Sequence, residues 1–349
     1  MSQMAQTDPD DRQGRIESYL AGKIPEANGV HLIGVERPNV GWSHETWLFD
    51  GHWTEGSREV SRPLCLRLDP GNTLLRHMSN LETQFRVLEC LATTPVPAPQ
   101  PYWYEDDTAI LGAPFIVMER APGTCPDPWG TTGRQFYQEA AQRGVLPGSF
   151  IGALAALHNL DWEGAGLSFL GVPKPGREFA LTELAKWRAL IEVSGDVDEP
   201  VLTDLICWLQ ENAPSTERLA LIHGAYRTGN LLIHEDRVSA VLDWETQAIG
   251  DPMYDVAYVL SDLNREGTDL LSNLVPRDQF YREYEAATGI EIDEERCRYY
   301  QLLYCMRSVA FWVSASGLYA DGSSNDLRLA RTAWSIPVVL ERAARELGY

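Results

Sequence analysis

The chain has 349 residues, of which 44% are hydrophobic, enough to bury a large core and to divide into two lobes. Its formal net charge of −21 argues against nucleic acid, whose binding needs basic patches that displace counterions, and against an anionic membrane surface. The charge leaves a cationic ligand open, but solubility accounts for it more simply.

The six cysteines, Cys65, Cys90, Cys125, Cys207, Cys297 and Cys305, form no C-x-x-C pair and read as free thiols of a reducing cytosol. The polar, acidic N-terminus has no apolar segment, so no signal peptide is expected, and no apolar run reaches membrane-spanning length. A cytoplasmic chain follows as the expectation. The seven histidines lack zinc-site spacing, and neither a G-x-x-x-x-G-K-[ST] phosphate loop nor a G-x-S-x-G turn occurs.

In chain order, Met1–Arg12 is expected to fray. Arg15–Leu20 predicts a short helix ahead of Gly22, and Val30–Val35 and Thr46–Phe49 predict strands. The turn between those strands contains Gly41 and Ser43. Leu64–Leu68 alternates, with Leu64, Leu66 and Leu68 on one face and Cys65 and Arg67 on the other. Arg76–Ala92 predicts an amphipathic helix with Met78, Leu81, Phe85, Leu88 and Leu91 along one side. Pro95, Pro97, Pro99 and Pro101 end it in an extended linker. Helices are expected over Phe150–His158, over Val201–Leu209 and from Asp251-Pro252 onward. His158 reads as a packed, hydrogen-bonded core residue. Arg296–Leu318 predicts a long helix rich in aromatics. Arg307 within it needs a carboxylate partner or an anionic ligand; an ion pair is the commoner answer, an anionic substrate the alternative.

The most informative stretch is Leu221–Leu260, LIHGAYRTGNLLIHEDRVSAVLDWETQAIGDPMYDVAYVL. Asn230–Ile233 and Val238–Leu242 predict a hairpin with its turn at His234–Arg237. That pairing brings Asn230, where the first strand begins, close to Asp243, where the second ends. One carboxylate and one amide at the mouth of a hairpin suit a hard cation such as Mg2+ that also holds phosphates.

This stretch resembles the catalytic and metal-binding segment of the aminoglycoside phosphotransferase and choline kinase-like family. Within that family it is most similar to the branch associated with acyl-CoA dehydrogenases. The pattern H-G-D-Y-R-x-G-N is matched by His223–Asn230, V-L-D-W-E by Val241–Glu245, and G-D-P-x-x-D by Gly250–Asp255. One departure stands at the family's catalytic Asp, whose place is held by Ala225.

The resemblance implies an α/β (α+β), two-lobed, protein-kinase-like fold. Residues 1–118 would form a nucleotide-binding lobe, and 119–349 a helical lobe with catalytic loop, metal site and acceptor site, ATP lying between them. Gly41 and Ser43 would belong to the turn over the phosphates, and Arg67 would neutralise them in place of the usual Lys. Gln84 takes the position of the helix Glu that orients this cation, a second departure. Ala113–Gly123 resembles the last small-lobe strand and the hinge, with Glu119 at the adenine edge. Asn230 and Asp243 would hold Mg2+, and Ala225, Arg227 and Asn230 lie in the catalytic loop. Asp251 and Asp255 would cap backbone donors or brace that loop.

The implied activity is ATP-dependent phosphorylation of a hydroxyl on a small organic molecule, a hydroxy acid, alcohol or phenol, strongly impaired by Ala225. An acyl-CoA dehydrogenase is the implied pathway partner. The alternatives are a natural pseudokinase or ligand-binding module, and an aminoglycoside-type antibiotic kinase. The intact neighbours of Ala225 favour an engineered exchange over natural decay, which would often remove metal ligands too.

Overall fold

Alternating apolar residues build a sheet whose two faces have different tasks. The structure, a computed structural model, describes residues 9–38, 44–71, 80–195, 198–265 and 267–349. It divides into two units, Met1–Ala92 with Pro99–Ala121, and Thr93–Ala98 with Pro122–Tyr349. The predicted Gly41–Ser43 turn and the start of the helix predicted from Arg76 lie outside the described residues.

The first unit contains α1 (Pro9–Lys23), β1 (Ala27–Glu36), β2 (Glu45–Glu55), β3 (Arg58–Leu68), α2 (Leu81–Leu91), β4 (Pro101–Glu105), α3 (Thr108–Leu111) and β5 (Phe115–Glu119). Its strands form a five-stranded antiparallel sheet in the order β1-β2-β3-β5-β4. β2 and β3 run well past the predicted strands because they join in a tight hairpin, in which Glu55 faces Arg58 and Gly56 takes a left-handed φ of 60°. Leu64, Leu66 and Leu68 do share a buried face, with Trp47, Phe49, Phe115 and Val117, and α1 covers it with Ile16 and Leu20. Side chains of this size each stabilise by about 1.5–3 kcal/mol when fully buried.

Arg67 lies on the opposite face. It pairs across the ladder with Ile116, and Ile116 in turn with Tyr104, so the three point the same way. α2 packs on that face, the Phe85 ring 6.0 Å from Tyr104. The helix is rotated from the predicted face. It buries Leu81, Gln84, Val87, Leu88 and Leu91, whereas Phe85 is half-buried at its edge. Asn80 caps its start, accepting from the Thr83 amide at 2.7 Å. Pro101 opens β4 rather than closing a linker.

The second unit is mainly helical: α4 (Thr131–Arg143), α5 (Val145–His158), α6 (Glu178–Ser194), α7 (Pro200–Glu211), α8 (Met253–Leu260), α9 (Arg277–Thr288), α10 (Glu294–Ala320), α11 (Leu327–Thr332) and α12 (Ile336–Leu347). α10, with 27 residues, is the spine against which α6, α8, α11 and α12 pack. Its buried Tyr300 ring meets Tyr254 of α8 edge-to-face at 5.3 Å, and its Tyr304 ring packs tilted against the same tyrosine at 4.9 Å. Two small ladders sit among the helices. β6 (Ala220–Ile222) pairs with β9 (Ala248–Gly250), and β7 (Leu231–His234) with β8 (Arg237–Val241). The second is the predicted hairpin, shifted by a residue at each end and turned by Glu235 and Asp236 at φ 50° and 56°. No helix among the described residues is long and apolar enough to cross a membrane.

Candidate active site

The segment between β6 and β7 is an irregular loop, and its backbone polar groups are met from several sides. The amides of His223 and Gly224 donate to the two oxygens of Asp255 on α8, both at 2.7 Å. The His223 carbonyl accepts from Thr246 Oγ1 at 3.2 Å. The Gly224 carbonyl accepts from Arg307 Nη1, and the Ala225 carbonyl from Asn230 Nδ2 at 2.9 Å. Gly224 is needed here. Its φ is 82°, and a Cβ would stand 2.5 Å from the Thr246 carbonyl oxygen. None of these bonds uses the side chain of residue 225, so the loop keeps its course around a methyl group that is 7% exposed.

His223 is held as the neutral Nε2–H tautomer. Nε2 donates to the Leu242 carbonyl at 2.7 Å, and Nδ1 accepts the Ala225 amide at 3.2 Å. Burial lowers its pKa, against the opposing pull of Asp255 and Asp243. Asp255 is fully buried, which by itself pushes its carboxyl up. Hydrogen bonds from His158 and the His223 amide outweigh burial and hold it below the ordinary carboxylate range. His158 is a buried structural residue as expected, with Nε2 3.3 Å from Asp255 and Nδ1 2.7 Å from the Tyr284 hydroxyl. Asp251 caps α8 through the Met253 amide at 2.9 Å and accepts from Tyr300 at 3.1 Å. Burial raises its carboxyl, opposed by Arg296.

The two expected metal ligands come together in this unit. Asn230 closes the 3-10 turn Thr228–Asn230, and its carbonyl accepts the Leu242 amide at 2.8 Å, one residue before Asp243. Because Nδ2 is engaged by the Ala225 carbonyl, the amide oxygen of Asn230 faces the other way. Asp243 is half-buried and takes a left-handed φ of 69°, rare for a residue with a side chain. Two hard oxygen donors fit Mg2+, which keeps several waters and binds through few carboxylates. No group of three or more His, Cys, Asp or Glu among the described residues is arranged to hold a metal.

Arg227 lies over the indole of Trp129, its guanidinium carbon 4.2 Å from the ring centroid. Nη1 is buried with no hydrogen-bond partner among the described residues. A side chain at Gly229 would meet that nitrogen at 2.5 Å, which explains the small residue before Asn230. Tyr226 anchors the loop below, donating to the Phe150 carbonyl at 2.7 Å.

The first unit holds the remaining candidates. Arg67 is half-buried, with Nη2 3.0 Å from His44 Nδ1. Gln84 is 1% exposed on α2, the helix that covers the Arg67 face. Glu119 ends β5, its amide donating to the Gln100 carbonyl at 2.8 Å. Gly41 and Ser43 lie outside the described residues. Sequence reasoning missed the Trp129 platform and the Thr246 bond, since neither leaves a local signal. The G-D-P-x-x-D spacing did point to Asp255 as a brace.

Residues 34–300 match the phosphotransferase enzyme family, and the chain belongs to that family. Mouse acyl-CoA dehydrogenase family member 10 is 30% identical over 251 residues, which are 70% of this chain and 22% of the mouse protein. Human acyl-CoA dehydrogenase family member 11 is 31% identical over 196 residues, 55% of this chain and 24% of the human protein. The matched region thus spans about a quarter of the length of these relatives. Among solved structures, a Ralstonia eutropha protein assigned as an aminoglycoside phosphotransferase has a TM-score of 0.67 at 23% identity, covering 95% of this chain and 97% of its own. A thermostable mutant of the aminoglycoside phosphotransferase APH(4)-Ia, in ternary complex with ADP and hygromycin B, gives 0.58 at 17% identity, covering 96% and 99%. These likenesses show a shared α/β kinase-like fold, with its sheet-containing unit and its helical unit.

Proposed function

We propose that the chain is built as an ATP-dependent phosphotransferase for a hydroxyl of a small organic molecule, with Ala225 standing where the general-base aspartate belongs. The observation that carries this reading is the loop itself. Asp255, Arg307 and Asn230 hold the backbone of residues 223–225, and the Asn230 carbonyl bonds the residue before Asp243, around a side chain that can neither accept a proton nor orient a hydroxyl. An otherwise intact site favours replacement of the base over decay of the whole centre. ATP as donor is supported by the ADP complex of APH(4)-Ia, a protein of the same fold.

In this reading Arg67 neutralises nucleotide phosphates and Gln84 supports it by hydrogen bonding. Glu119 stands at the adenine edge. Asn230 Oδ1 and the Asp243 carboxylate hold Mg2+, which when bound offsets phosphate charge. Arg227, fixed on Trp129 with an unsatisfied N–H, stabilises charge on the transferring group. A carboxylate at position 225 would orient the acceptor hydroxyl and take its proton. Asp243→Asn is expected to weaken Mg-nucleotide binding more than Glu245→Gln does. Equal effects in calorimetric titration would show that the wrong carboxylate has been chosen.

The acceptor is a neutral or anionic hydroxyl compound with an apolar body, a hydroxy acid, alcohol or phenol. Similarity to acyl-CoA dehydrogenase family members 10 and 11 supports this. A phosphorylation panel on the Ala225→Asp variant tests it. Turnover of aminoglycosides, with none of hydroxy acids, alcohols or phenols, would contradict the assignment. An acyl-CoA dehydrogenase as pathway partner would show as stable co-purification.

A further inference from the structure

Arg307 is a buried cation that feels the Glu183 carboxylate from a distance but forms no direct ion pair among the described residues. It is 8% exposed, and among the described residues no carboxylate lies within ion-pair distance of it. The ion pair expected from the sequence is therefore not formed. The guanidinium instead donates to the Gly224 carbonyl and lies against the rings of Trp187, Tyr304 and Tyr258, 4.8, 5.4 and 5.7 Å from their centroids. Tyr254 and Tyr304 have their hydroxyl pKa values raised by burial, so they stay neutral and bring no compensating charge at neutral pH.

The acidic groups around it are committed elsewhere. Glu183 accepts from Tyr254 at 2.9 Å and Trp187 at 3.1 Å, and pairs with Lys186 at 3.3 Å. Asp255 spends its oxygens on the His223 and Gly224 amides and on His158. A buried charge left unpaired is costly, and proteins seldom keep one. The carbonyl that Arg307 holds is the one bonded to the nitrogen of Ala225. A carboxylate carried by residue 225 would therefore start one peptide unit from the guanidinium.

We propose that Arg307 is a positioning residue, the counter-cation for a carboxylate at position 225, and that the exchange to alanine has left it without a direct ion pair. This rests on the reading that position 225 is the place of the base. It gives Arg307 a role beneath the loop in place of contact with an anionic acceptor. In that role the cation fixes the loop through the Gly224 carbonyl and holds the neighbouring carboxylate in one orientation.

The test is a double-mutant cycle read by thermal denaturation without nucleotide or acceptor, so that its outcome does not depend on any phosphoryl transfer. Arg307→Gln keeps a donor for the Gly224 carbonyl while removing the charge. Ala225→Asp is expected to raise Tm when Arg307 is present and to lower it in the Arg307→Gln background, a non-additivity of about 3 °C or more. Arg307→Lys, which keeps the charge, should restore the rise. The same Tm change in both backgrounds overturns the proposal. Should Arg307→Gln not fold, a fall in Tm on Ala225→Asp alone overturns it and a rise supports it. In the Ala225→Asp background, Arg307→Gln should lower kcat and leave acceptor KM unchanged. A loss confined to KM would make Arg307 a contact for the acceptor and contradict a positioning role.

Discussion

Ala225→Asp is expected to raise phosphoryl transfer to the true acceptor by about 10²–10⁴-fold. That range is the contribution of a positioned general base, roughly 3–5 kcal/mol of barrier at 1.36 kcal/mol per decade. Phosphoryl transfer passes through a loose transition state, so the carboxylate acts as much by orienting the hydroxyl as by taking its proton. The structure gives a reason for the gain to be realised. The course of the chain at 223–225 is set by Asp255, Thr246, Arg307 and Asn230, and the side chain at 225 takes no part. The loop is already shaped with alanine at position 225. ATP affinity should change little or weaken, because the exchange adds a negative charge near the terminal phosphate. Equal turnover of the variant and the present chain, on an acceptor that either one uses, would place the base elsewhere. Binding of ATP by both with transfer by neither would favour a binding module.

Asp255→Asn should destabilise the second unit by about 3 kcal/mol or more, seen as a Tm lower by roughly 6–10 °C. Both carboxylate oxygens accept buried backbone amides, and one also meets His158. An Asn amide offers one acceptor oxygen, and its NH2 would face a donor. The pH dependence has a definite sign. Because the folded carboxyl is held below its ordinary value, its stabilisation is complete above the unfolded pKa of about 3.9 and is lost as pH falls through the folded value. The Tm difference between the two proteins should therefore be constant at neutral pH and shrink only in strong acid. A Tm within about 2 °C of the parent would show that the loop amides find other acceptors.

Much of this architecture could be read from local pattern. The alternation at Leu64–Leu68 set the buried face and, by exclusion, the face of Arg67. The apolar runs flanking His234–Arg237 placed the hairpin to within a residue, and hence the closeness of Asn230 and Asp243. What escaped depended on tertiary contact. Gln84 replaces Phe85 in the buried row because α2 meets the sheet at an angle that periodicity cannot supply. The partner of Arg307 was expected to be a carboxylate, since sequence cannot show that a carbonyl 83 residues away would face it. The contact of Trp129 with Arg227 joins segments that share no motif.

Under the proposed function, Arg67, Asn230 and Asp243 bind Mg-nucleotide even with Ala225 in the catalytic loop. Calorimetric titration of the present chain with ATP and GTP, with and without Mg2+, tests it most directly. The account predicts saturable, Mg2+-dependent binding of a nucleoside triphosphate that is strongly weakened by Asp243→Asn. No Mg2+-dependent heat with either nucleotide would contradict it.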